Sequence, residues 1–78
     1  MKILKSKQVM KYIEAQDKKT RGRINDAFSK LPLGDIVPVA GHENTYRLRI
    51  GNLRAIFLKE EDAIKITVLD TRGQVYKK

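Results

Sequence analysis

The segment YRLRIGNLRAIF, residues 46–57, constrains this chain more than any other stretch, because it reads as a β-hairpin with arginines gathered on one face. Alternation along a strand sends Tyr46, Leu48 and Ile50 to one side and Arg47 and Arg49 to the other, and Gly51-Asn52 is a two-residue loop of hairpin type. Pairing Ile50 with Leu53 sets Arg49 directly across from Arg54. Like charges opposed on a sheet destabilise it, and two unit charges about 5 Å apart repel by about 0.8 kcal/mol even in water. Stability alone gives a fold little reason to keep such a pair. An anion between the guanidinium groups does, and phosphate suits their bidentate fork better than it suits a lysine ammonium. The hairpin therefore points to nucleic acid.

Charge supports the same direction. Seventeen lysines and arginines against nine aspartates and glutamates give a net charge of +8, which favours polyanions or an acidic protein partner. The 78 residues are read as one domain spanning 1–78, small enough that folding buries only about 60% of the unfolded chain's surface and a partner can add stability. With no cysteine there is neither a disulfide framework nor a thiolate metal site. Lysines interrupt MKILKSKQVMKYI too often for a secretory h-region, and no stretch approaches the roughly 20 apolar residues that span a bilayer. A soluble, cytoplasmic protein without membrane contact is expected.

Local signals fill in the other elements. Residues 2–5 read as a short strand around Ile3 and Leu4. Ser6 can cap a helix in which Val9, Tyr12 and Ile13 recur at helical spacing. Asp17 can cap a second, whose apolar positions Ile24, Ala27, Phe28 and Leu31 follow the i, i+3, i+4, i+7 pattern and which ends at Pro32 and Gly34. Residues 33–44 read as a connecting loop, and strands are expected over 45–50, 53–58 and 63–69, the last two joined by a charged turn at 59–62. The fold class is α+β: a short N-terminal strand, a two-helix hairpin and a three-stranded antiparallel meander.

If Leu58 pairs with Ala63, then Leu53, Ala55 and Phe57 lie across from Val68, Ile66 and Ile64, on the same face as Leu48 and Ile50. Both helices must bury their apolar stripes there, since no other apolar surface is large enough. The opposite face then carries Arg47, Arg49, Arg54, Lys65 and Thr67, open to solvent. Other polar residues have ordinary readings. Tyr12 belongs to the core, His42 to the surface, and Lys18, Lys19, Arg21 and Arg23 to a solvated helix face. The sheet arginines could also pair with Glu60, Glu61 or an acidic partner.

The order of elements, together with LPLGD after the second helix, YRLRIGNLRAIF, and the terminal DTRGQVYK, resembles the RelE/ParE superfamily of toxins from bacterial type II toxin-antitoxin modules. The resemblance covers nearly the whole chain. It implies a β-α-α-β-β-β fold and, for RelE-like members, a messenger RNA interferase that cuts messages in the decoding site of the ribosome and so inhibits translation. Arg47 and Arg49 fall where such nucleases place lysines that grip the messenger backbone, and Lys65 on the same face would extend that RNA-binding surface. Arg54 falls at the arginine that stabilises charge on the scissile phosphate. Arg72 matches the arginine after the last strand, and Tyr76 the tyrosine assigned as general base for the ribose 2′-hydroxyl. Strand parity cannot be counted through Gly73, so whether Arg72 reaches the arginine face is left open, and Gln74 stands where relatives often carry an acidic residue. The implied chemistry needs no metal and no cofactor, because arginines neutralise the charge. The implied partners are an acidic cognate antitoxin, the ribosome with its messenger, and operator DNA through the antitoxin complex. Two rival readings remain within the resemblance: a ParE-like, non-enzymatic inhibitor of DNA gyrase, and an inactive module that serves only as the antitoxin's partner.

Overall fold

A computed structural model describes residues 2–71. The elements run β1 (Lys2–Lys5), α1 (Lys7–Glu14), α2 (Lys18–Ser29), β2 (Ile36–Pro38), β3 (Thr45–Ile50), β4 (Leu53–Lys59) and β5 (Ala63–Asp70). Both expected caps form. The Ser6 hydroxyl oxygen accepts from the Val9 N–H at 3.2 Å and the Asp17 carboxylate from the Thr20 N–H at 2.8 Å, each satisfying a donor that the first helical turn leaves open. α2 ends at Lys30, its C-cap, just ahead of Pro32.

The strands form one mixed sheet in the order β1-β5-β4-β3-β2. β1 runs parallel to β5, with Lys2 beside Ala63 and Lys5 beside Ile66, and the other neighbours are antiparallel. Past Ile66 the strand β1 has ended, and α1 supplies the hydrogen bonds instead. The Ser6 hydroxyl donates to the Thr67 carbonyl at 2.9 Å, while the Gln8 amide donates to the Leu69 carbonyl at 3.0 Å and accepts from its N–H at 3.1 Å. Side chains from a helix thus finish the ladder of a strand whose neighbour is too short.

Two expectations are corrected. Residues 33–44 are not a plain loop, because Ile36–Pro38 pairs with Tyr46–Leu48 as a fifth, edge strand. Pro38 is tolerated there, since an edge strand has one side on which a missing N–H costs no ladder bond. The β4–β5 register is also displaced. Phe57 lies across from Ile66 and Lys59 from Ile64, two residues from the expected pairing, and a bulge at Ile56/Phe57 then sets Ile56 against Val68 and Ala55 against Leu69. A displacement of two keeps each side chain on its face, whereas the bulge adds one residue and exchanges faces beyond it. Leu69, fully buried, therefore takes the core place expected for Val68, which is half-buried.

The core lies between the helices and one face of the sheet. Val9, Ile24, Phe28 and Leu31 pack with Leu48, Ile50, Leu53, Ala55, Phe57, Ile64, Ile66 and Leu69, and Tyr12 and Ile13 close its edge. Tyr46 stacks on Phe57 with ring centroids 5.5 Å apart. The other face is less polar than expected. Ile56, the register partner of Arg47, is 1% exposed, so its cross-strand neighbours close over it.

Candidate nucleic-acid interface

Hairpin geometry fixes the site. β3 and β4 pair from Thr45↔Leu58 to Ile50↔Leu53, and Arg49 stands directly across from Arg54. Gly51 opens the turn at φ +59°, a conformation glycine reaches without strain. A Cβ on Gly51 would also lie 2.6 Å from the Arg23 guanidinium Nη2. Arg23, expected on a solvated helix face, thus reaches from α2 to cover the turn.

Arg47, Arg49 and Arg54 line one cleft of about 340 Å³ together with Val37 and Asp35. β2 builds its far wall, because Val37 pairs with Arg47. The Asp35 carboxylate accepts from Arg49 Nε at 2.7 Å, and the Asp35 carbonyl accepts from the Arg49 main-chain N–H at 2.9 Å. Arg54 donates from Nη1 to the Leu53 carbonyl at 3.2 Å and has Asp70 as its register partner on β5. The Asp35 carboxylate is therefore the one seen on the opposed arginines among the described residues, and Glu60 pairs with Lys65 instead. Sequence reading missed Asp35. Its position next to the Ile-Val-Pro-Val run was the available signal, but it acquires meaning only once that run is a strand beside β3.

Lys65 and Thr67 do not line the cleft. Lys65 is exposed on β5 across from Leu58 and makes an ion pair with Glu60 at 3.4 Å, while the Thr67 hydroxyl donates to the Ile56 carbonyl beside the bulge. Arg72 and Tyr76 lie outside the described residues. Among the described residues no helix is long and apolar enough to cross a membrane.

A mixed sheet with two helices on one face and an arginine cleft on the other is a RelE-like α+β fold. The structure superposes on the archaeal RelE-RelB complex from Pyrococcus horikoshii OT3 with a TM-score of 0.74 and 26% sequence identity over 94% of this chain and 96% of that one. It also superposes on the RelB-RelE antitoxin-toxin complex from Methanococcus jannaschii with a TM-score of 0.68 and 26% identity, covering 85% of this chain and 86% of that one. No family model and no curated protein matches the sequence.

Proposed function

We propose that this chain is the toxin of a type II toxin-antitoxin pair, a single-domain cytoplasmic endoribonuclease that cuts messenger RNA on the ribosome and is held in check by an acidic antitoxin. The observation that carries the reading is the set of three arginines, two of them in direct cross-strand register, in a cleft on a RelE-like fold. Opposed guanidinium groups are poor for sheet stability and good for a pentacoordinate phosphate, whose extra negative charge they meet without reorganising.

In the reaction the ribose 2′-oxygen attacks the adjacent phosphorus as the bond to the 5′-oxygen breaks, and the departing 5′-oxygen takes a proton from water, leaving a 2′,3′-cyclic phosphate and a 5′-hydroxyl. Arg54 stabilises charge on the phosphate, and Arg47 and Arg49 hold the messenger backbone. Tyr76, by resemblance, takes the 2′-hydroxyl proton, and Arg72 adds positive charge. A tyrosine with its reference pKa near 10 is only about 0.1% phenolate at neutral pH, so the reaction depends on neighbouring cations and on a host that orients the substrate. That requirement fits a nuclease that works on the ribosome.

Single-turnover cleavage on programmed ribosomes tests the proposal. The parent protein should cut the message, Arg54→Ala should slow the cleavage step about 10²-fold or more, and Tyr76→Phe should slow it with the fold intact. A parent protein that leaves the message whole and instead traps DNA gyrase on DNA would refute it.

A further inference from the structure

The arginine cleft is already occupied by part of the protein. Asp35 is fixed to Arg49 twice, through its carbonyl on the main-chain N–H and through its carboxylate on Nε. The backbone bond places the residue and the side-chain bond places its charge. Arg49 is nevertheless well exposed, with 61% of its side chain accessible, so among the described residues Asp35 is the group that meets an incoming anion at that guanidinium.

We infer that Asp35 is a built-in counter-anion that a substrate phosphate must outcompete for Arg49, so that it sets the threshold at which the cleft takes a nucleic-acid backbone. The inference rests on the phosphate-binding reading of the cleft given above. Three features of the site support it. Asp35 lines the same cleft as all three arginines, which brings its charge against any phosphate bound there. Its carboxylate contacts Nε alone, one donor of five on a guanidinium, so the ion pair lowers the field of Arg49 without closing its outer edge. Among the described residues that line the cleft, Asp35 is the acidic one, set against three arginines. The site is tuned to be modestly cationic despite its arginines. A single phosphate gains little there, and a substrate held by a larger host in the right position gains enough.

The competing account makes Asp35 a positioning residue that aims Arg49 at the phosphate. Asp35→Asn separates the two, because asparagine keeps an oxygen that can accept from Nε and loses only the charge. The probe is a single-stranded RNA with 2′-O-methyl riboses, which binds without being cut. Its affinity is read by fluorescence anisotropy across a salt series for the parent protein, Asp35→Asn, Arg49→Gln and the double variant.

Relief of about 1 kcal/mol, the interaction of two unit charges about 4 Å apart in water, corresponds to about fivefold tighter binding by Asp35→Asn. The slope of log affinity against log salt should also steepen by up to about 0.7, the value for one more phosphate neutralised on a single strand. Both effects should disappear when Arg49 is glutamine, which a general change in net charge would not produce. Weaker or unchanged binding by Asp35→Asn, or a gain that survives Arg49→Gln, overturns the inference while leaving the cleft's phosphate reading intact. Parent and Arg49→Gln proteins that bind alike overturn both.

Discussion

Replacing Gly51 by alanine probes the turn that sets the two arginines opposite each other. Alanine at φ +59° places its Cβ against the following carbonyl, a cost of about 1–2 kcal/mol for an L residue in left-handed backbone. The same Cβ would stand 2.6 Å from Arg23 Nη2, the far end of a long side chain, which swings aside for no more than about 0.5 kcal/mol. The backbone term therefore dominates, and the total is about 1–2 kcal/mol. For a domain of this size each kcal/mol lowers the melting temperature by about 4–8 °C, so a loss of roughly 5–15 °C is expected. Urea and thermal denaturation of four proteins resolve the contributions: the parent, Gly51→Ala, Arg23→Ala and the double variant. Most of the penalty should persist when Arg23 is already alanine, and Gly51→Asn should cost less than Gly51→Ala, since asparagine tolerates left-handed backbone while presenting the same Cβ to Arg23. A Gly51→Ala protein within 0.5 kcal/mol of the parent would refute the reasoning and with it the turn that anchors the Arg49↔Arg54 register.

Ile64 is fully buried between β1 and β4, so Ile64→Val should cost about 0.5–1.5 kcal/mol, read as a lower urea midpoint with an unchanged m-value. Hydrogen bonds from Thr20, first its hydroxyl and then its main-chain N–H, hold the Asp17 carboxyl below its ordinary 3.8, with the Arg21 charge acting in the same direction. A depressed folded value means that the contribution is present above the unfolded pKa and is lost as pH falls through the folded one. Asp17→Asn keeps a capping oxygen and removes the titration, so stability at neutral pH should stay near that of the parent while the parent alone loses this contribution below about pH 4, as urea midpoints at neutral and acid pH would show.

The hairpin and both helices were legible because their signals are local. Alternation, a Gly-Asn turn and two capping side chains act within a few residues, and the structure keeps the Arg49↔Arg54 pair they imply. What sequence concealed depends on neighbours far along the chain. β2 is three residues long and becomes a strand only because β3 lies beside it. The bulge at Ile56/Phe57 is an agreement between β4 and β5 that neither strand announces, and it decides whether Val68 or Leu69 enters the core. Asp35 follows the same rule, since its carboxylate meets an arginine 14 residues away. The arginines of the site could be read from the hairpin. The wall and the counter-charge that shape it could not.

The parallel pairing of β1 with β5 has a temporal consequence. Ser6 and Gln8 find their partners 61 residues further along the chain. At roughly 5–20 residues per second of synthesis, the N-terminal strand waits about 3–12 seconds before β5 exists to receive it. During that interval Ile3, Val9 and Ile13 have no sheet to cover them, and β3 and β4 can already close their hairpin. A shortened product ending before residue 63 would carry the cleft arginines on a sheet with no β5 beside β4 and no site for β1 to dock. Burial of the core beneath the arginine-bearing hairpin is thus tied to the synthesis of β5, and pulse-labelled protease resistance should rise only after β5 has been made.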